Sequence, residues 1–246
     1  MPDDETESGA APGFAISEPL RGERVGMSLL AMAETCDDPL LGTDLDARYI
    51  FSNAAHASGL LGASPAAVVG RSVRDFYGRS FMEATQATAR EAQRRGSRVY
   101  EHMLDGRFSR VEVWPLRAGD RAIGVLGRVR VSCPVAEGRR RAGGGAWRPV
   151  APVEQSSIAA PGSLRGLTRE GLEVLRLSGA GLRCEEVMHL LGWTAARLDE
   201  VRERVAEHLR LPAPHWVRVE GYERGLHLFD QAHWNRVVAP ACVDAA

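Results

Sequence analysis

The sequence predicts an α+β chain in which an antiparallel sheet with small helices precedes an all-α C-terminal domain. Three observations predict it. Between about 40 and 131, short β-prone runs alternate with turn signals such as Asp46-Ala47 and Asp105-Gly106. Between 167 and 211, apolar residues recur at spacings of three and four and are broken by glycines, which describes three short helices around one core. Between these two regions the periodicity is lost.

Composition bounds the function. At 246 residues and 44% apolar content, the chain is long enough for two modest globular domains. A net charge of -1 gives no global attraction to nucleic acid or to an anionic membrane, so any such contact needs a local patch. All 31 basic residues are arginine, which leaves no lysine for Schiff-base or P-loop chemistry. Four cysteines, Cys36, Cys133, Cys184 and Cys242, form no CxxC pair, so neither a zinc ribbon nor a disulfide framework is expected. With no signal-like lead and no apolar run near the ~20 residues of a membrane helix, a cytoplasmic protein without membrane contact is expected.

Residues 1–24 hold Asp3, Asp4, Glu5, Glu7 and Glu18 among small residues and are expected to be a disordered acidic tail. The first domain then spans 25–132. Met27 to Glu34 is apolar and alanine-rich enough for a helix. Two short strands flank the turn at Asp46-Ala47, and Asn53 begins a helix. Small helices follow around Leu60, Pro65 to Val68 and Phe76, then a longer one over Phe81 to Arg95. Strands are expected over Ser97 to Met103, Ser109 to Leu116 and Ala122 to Val131, turning at Asp105-Gly106 and Gly119-Asp120. Val111 and Val113 alternate with Glu112 and Trp114, as a two-faced sheet requires.

That order of elements, with the runs DPLLGTDLDARYIFSNAA, LLGASPAAVVGRSVRDF and GRFSRVEVWPL, resembles a PAS domain over about Leu29 to Val131. The resemblance implies a cup-shaped sensory or dimerisation domain and no catalytic activity. Phe51, Phe76, Phe81 and Trp114 are candidates to line a small-molecule pocket, although aromatics at such positions also serve as plain core. No resident cofactor is predicted, and a small ligand of unknown identity remains open. Neither Cys36 nor Cys133 lies in a flavin-type motif. His56 and His102 are the nearest haem-ligand candidates, but His56 is expected to face solvent and His102 lies on a strand beside a hairpin.

Residues 133–162, with Arg139-Arg140-Arg141, Gly143-Gly144-Gly145 and several prolines, are expected to be a linker. The second domain spans 163–246. Its first helix opens at Thr168 and carries Leu172, Leu175 and Leu177. A second runs from about Arg183 to Leu191 and closes at Gly192. Thr194 caps a third, in which Leu198, Val201, Val205 and Leu209 form one buried stripe that Pro212 ends. The tight turn at Gly192 is that of a helix-turn-helix. Beyond it, His215 to Trp234 has enough apolar residues for one or two covering helices.

Over roughly a fifth of the chain, LTREGLEVLRLSGAGLRCEEVMHLLGWTAARLDEVRERVAEHLRL resembles the LuxR/GerE-type helix-turn-helix. The match is carried by Leu167, Thr168, Leu172, Glu173, Val174, Leu175, Leu177, Gly181, Glu186, Val187, Leu191, Gly192, Thr194, Leu198, Val205 and Leu209. Departures fall at Gly171, Met188, Asp199, Glu200, Val201 and His208. The resemblance implies a DNA-binding transcription regulator acting as a homodimer on two half-sites, with Thr194, Arg197, Arg202 and Arg204 as DNA contacts. Asp199, Glu200, Glu203 and Glu207 oppose phosphate binding on the same helix. The alternative is therefore a PAS-based interaction module whose degenerate helix-turn-helix no longer binds DNA. No catalytic constellation and no metal-ligand spacing can be assembled, so an enzyme is not expected.

Overall fold

The computed structural model describes residues 14–17, 36–118, 120–131 and 153–243. The helix expected over Met27 to Glu34, the arginine triplet, and most of the expected acidic tail and linker lie outside the described residues. Among the described residues the fold is mixed α/β, with a seven-stranded sheet and a helical C-terminal region, and the fold class is the one the sequence predicts.

The strands are β1 (Phe14–Ile16), β2 (Leu40–Asp44), β3 (Tyr49–Asn53), β4 (Arg98–Leu104), β5 (Arg107–Ala118), β6 (Arg121–Val131) and β7 (Val153–Ala159). Their order across the sheet is β1-β3-β2-β6-β5-β4-β7. Neighbours are antiparallel except β4 and β7, which run parallel. Four helices lie between β3 and β4: α1 (Ala54–Leu61), α2 (Pro65–Val68), α3 (Arg74–Tyr77) and α4 (Arg79–Arg95).

Local chemistry sets the turns. Asp44 Oδ1 accepts from the amides of Asp46 at 3.0 Å and Arg48 at 2.8 Å, and Ala47 adopts φ 58° to close the β2–β3 hairpin. Asn53 caps α1: its Oδ1 accepts from His56 N at 3.0 Å and from Leu40 N at 2.9 Å, so one side chain joins helix to sheet. Asp105 and Gly106 both have positive φ, 48° and 70°, the geometry of a two-residue hairpin loop whose twist suits the flanking strands.

Alternation gives the sheet two faces. Leu41, Val111, Val113, Val125 and Val129 pack with Ala89 and Ala92 of α4 and with Phe81. On the other face, Leu40, Phe51 and Leu126 cluster with Ile16 and half-buried Trp114. Met103 and Phe108 belong to the same core as the C-terminal helices, so the sheet and the helical region share one buried interior.

The helical region comprises α5 (Arg169–Gly179), α6 (Cys184–Leu191), α7 (Ala195–His208) and α8 (Trp216–Glu223). Three consecutive helical segments follow, Gln231–His233, a π turn over Trp234–Val238, and Ala239–Val243. Leu172, Leu175, Val187, Leu198, Val201, Val205 and Val217 form its centre; of the stripe that the spacing predicts on α7, Leu198, Val201 and Val205 are buried and Leu209 is half-buried. Where α5 crosses α8, Gly179 meets Gly221 backbone to backbone. A Cβ on Gly179 would collide with the Gly221 carbonyl carbon, and one on Gly221 with the Leu175 carbonyl oxygen.

Two expectations are corrected. Phe14–Ile16, placed by composition in a disordered tail, forms β1 against β3, and Ile16, 6% exposed, joins the sheet-face cluster. Val153–Ala159, placed in the linker, is strand β7, and Arg98 of β4 pairs with its Glu154 at 3.1 Å. The helical region then closes onto this edge. His233 Nε2 donates to Ser156 O at 2.9 Å, and Phe229 packs edge-to-face on Phe108 at 4.8 Å.

Candidate functional site

The helix-turn-helix is assembled from caps and a glycine. Thr168 Oγ1 accepts from Gly171 N at 3.1 Å to start α5, and Glu186 accepts from Arg183 N at 2.8 Å to start α6. Gly192 takes φ 68° to end α6, and Thr194 Oγ1 accepts from Arg197 N at 3.3 Å to start α7. Between α6 and α7 only Gly192, Trp193 and Thr194 intervene. The inner stripe of α7 is buried, and its outer surface carries exposed Asp199, Glu200, Glu203, Arg204 and Glu207.

The four residues expected to touch DNA are placed differently from one another. Thr194 is the helix cap. Arg197 lies between two carboxylates, donating to Glu170 Oε2 of α5 at 2.6 Å and to Glu200 Oε2 at 2.7 Å, with its guanidinium over the Trp193 ring. These bonds, Glu200's first, raise the Arg197 pKa further, while Arg197 lowers that of Glu200. Arg204 lies 3.7 Å from Glu200 and 4.0 Å from Glu170. Both arginines thus face carboxylates, of which Glu170 could not be read from the sequence because it comes from a different helix.

Arg202 turns the other way. Its Nη1 donates to Cys184 Sγ at 3.4 Å, and its Nε is buried without a hydrogen-bond partner. It lines a cleft of about 210 Å³ together with Arg183, His215 and Arg218. Three arginines and a histidine from the start of α6, the middle of α7 and α8 thus converge, a grouping that no single stretch of sequence displays. Arg183 also pairs with Glu186 at 3.4 Å.

The second candidate site is the cup between the sheet and the small helices, a cavity of about 70 Å³. Phe81, Tyr77 and Tyr49 contribute rings to it, with aliphatic side chains from β2, β5 and β6. Of the four aromatics expected there, Phe81 alone lines it. Phe51 and Trp114 lie on the opposite sheet face, Trp114 beneath the Arg128 guanidinium at 5.7 Å, and Phe76 packs edge-to-face on Tyr49 outside the cavity. For Phe51 the cause is a register shift at Gly42/Thr43. Gly42 pairs with Phe51 and Thr43 with Tyr49, which turns Tyr49 into the cup and Phe51 away from it.

Both histidines line the cup, including His56, which was expected to face solvent. His56 is 2% exposed because Ser52 Oγ lies 2.9 Å from its Nδ1, a partner four residues earlier that lets the ring be buried. Burial pushes its pKa down to about 4. His102 is 4% exposed, and neither ring nitrogen has a hydrogen-bond partner. Burial, with a further contribution from His233, pushes its pKa down to about 3. Thr43 Oγ1, also in the cup wall, is likewise buried and unpartnered. Burial also pushes the Tyr77 phenol up to about 12. No group of His, Cys, Asp and Glu suited to a metal ion occurs among the described residues. No described helix is long and apolar enough to cross a membrane.

Residues 34–132 match the PAS fold family. No curated protein matches the chain. Among solved structures the chain is similar to the phage VqmA–DPO complex, at 18% identity and a TM-score of 0.44 over 86% of this chain and 95% of that one. It is also similar to the Vibrio cholera VqmA–ligand–DNA complex, at 14% identity and a TM-score of 0.41 over 82% of this chain and 88% of that one. A third similarity is to the PAS domain of Bordetella pertussis BvgS, at 18% identity and a TM-score of 0.37 over 46% of this chain and 90% of that one.

Proposed function

We propose that the chain is a PAS-linked, LuxR-type transcription regulator that senses a small molecule in its cup and binds DNA through its helix-turn-helix. One observation carries the reading. The short Gly192-Trp193-Thr194 turn leaves α7 exposed along one side, and the arginine cleft of Arg183, Arg202 and Arg218 lies beside it, at the start of α6. That is where a duplex seated on α7 presents a backbone phosphate. Arg197 and Arg204 contribute once phosphate replaces Glu170 and Glu200, since exposed pairs of this kind are worth only ~0–1 kcal/mol. Two copies are needed for two half-sites, and the exposed apolar stripe of Trp216, Val219 and Tyr222 on α8 supplies a surface for pairing them. Such a regulator works in the cytoplasm, on the chromosome.

Genomic fragments titrated with the full chain at two salt concentrations test this. Binding that weakens with salt, and weakens at every sequence in Arg202→Ala and Arg218→Ala, is expected. Absent or salt-insensitive binding that the variants leave unchanged overturns it. A second reading, an interaction module with a degenerate helix-turn-helix, is favoured by the exposed Asp199, Glu200, Glu203 and Glu207 on the outer side of α7. It predicts no salt-dependent DNA affinity at all.

A further inference from the structure

Three features limit what the cup can hold. Its lining contains no Asp, Glu or Arg, and its two histidines are held neutral by burial, so an ion entering it finds no counter-charge. Its wall nonetheless carries buried polar atoms with no protein partner, both ring nitrogens of His102 and the Thr43 hydroxyl. Unsatisfied buried groups of this sort are rare in folded proteins and costly, and a bound polar group removes the cost. At about 70 Å³ the cavity is also under half the ~150 Å³ that accommodates benzene.

We propose that the cup is a site for a compact, uncharged molecule that is apolar over most of its surface and carries a hydroxyl, carbonyl or amide group toward His102 and Thr43. This rests on reading the cup as the sensory site and names the class of ligand it takes. A neutral imidazole offers one donor and one acceptor, so the ligand's polar end is best matched by a group able to both give and accept a hydrogen bond. The methyl and ring surfaces of Leu41, Val113, Val125 and Phe81 enclose the remainder. A larger ring enters only when the stacked Tyr77–Phe81 pair, 4.4 Å between centroids, moves aside.

The position of His102 also gives the ligand a route to the helical region. His102 is on β4, and the next residue, Met103, is buried on the other face, where the Cys242 thiol meets its sulfur at 3.9 Å. Opposite His102, the pairing of β4 with β7 breaks register between Glu101 and Met103, and there Ser156 O receives its bond from His233. A shift of β4 on ligand binding is therefore felt at two contacts of the C-terminal helices.

The test titrates the isotope-labelled full chain, without DNA, with 2-methylpropan-1-ol, 2-methylpropanamide, 2-methylpropanoate, 2-methylpropylammonium and dissolved xenon at pH 7.5. Saturable shifts of cup resonances with the alcohol and the amide are expected, with the two ions bound at least about tenfold more weakly. His102→Leu and Thr43→Val are each expected to weaken alcohol and amide binding about fivefold or more while keeping xenon, whose binding also reports that the variant is folded. If His102→Leu fails to fold, Thr43→Val supplies the same comparison. Equal binding of the ions, wild-type affinity of the alcohol and amide in variants that still take up xenon, or no saturable shift with either neutral probe overturns the proposal. Because DNA takes no part, failure of the DNA-binding reading would leave this result standing, and the converse holds.

Discussion

The amide of Phe108, at the start of β5, donates to the carbonyl of Arg224, just past the end of α8, at 2.8 Å. Around that bond the Arg224 side chain, 7% exposed, reaches Glu220 at 2.7 Å, Ser163 Oγ at 3.0 Å and the Gly106 carbonyl at 3.5 Å. A buried cation thus ties the β4–β5 hairpin to α8 and the start of the helical region, and the two regions are expected to unfold together. Arg224→Ala leaves Glu220 and the Gly106 carbonyl without their partner and is expected to cost roughly 2–4 kcal/mol. Urea unfolding gives the loss, and faster hydrogen exchange at the Phe108 amide locates it. Unchanged exchange there would mean that the guanidinium does not hold the junction.

The crossing of α5 and α8 leaves no room for a side chain. Gly179→Ala and Gly221→Ala each push a methyl into the facing backbone and are expected to cost about 1–3 kcal/mol as overpacking. The cost exceeds the modest gain in helix propensity from Gly to Ala. Thermal melts of both variants check this, and a rise in melting temperature in either would show that the crossing can open without loss.

How legible this molecule is from its sequence depends on whether a residue's partner lies nearby. Thr168 and Thr194 cap helices through atoms three residues away, and the stripe from Leu198 to Val205 is a spacing on one helix, so α5 to α7 can be read directly. Strand β7 cannot, because its partner β4 lies some fifty residues earlier and VEQSSIA carries no strong alternation of its own. Two misplacements in the cup differ in kind. The alternation that sends Val111 and Val113 inward also sends Trp114 outward, so its face is legible in the strand itself, whereas the register shift that turns Phe51 away has no marker in the sequence. The pairing of Arg197 with Glu170 belongs to the second kind, since Glu170 reaches it from another helix.

On the proposed DNA-binding reading, the carboxylates around Arg197 and Arg204 oppose phosphate contact, and substitution is expected to lift that opposition. Glu170→Gln with Glu200→Gln removes two negative charges and frees both arginines, and tighter DNA binding, by about three- to tenfold at low salt, is expected. The dependence of log affinity on log salt should steepen by roughly one for each arginine that gains a phosphate. Fluorescence anisotropy over a salt series reads both quantities. An unchanged slope would place Arg197 and Arg204 off the DNA path, leaving the Arg202 cleft as the source of cationic contact.

Stability should fall in mild acid because of two buried histidines. In the folded chain the pKa values of His56 and His102 are lowered from 6.5 to about 4 and about 3, chiefly by burial. Below pH 6.5 the unfolded chain therefore binds protons at these positions that the folded chain refuses, so unfolding is favoured as the pH drops. The contribution to stability is fully present above pH 6.5 and is lost progressively as the pH approaches the folded values. Each histidine contributes up to about 1.4 kcal/mol per pH unit across that window. Urea unfolding at half-unit steps from pH 7.5 to pH 4.5 should show a slope that His102→Leu reduces by about half. A slope unaffected by that substitution would mean that other groups set the acid limit of the fold.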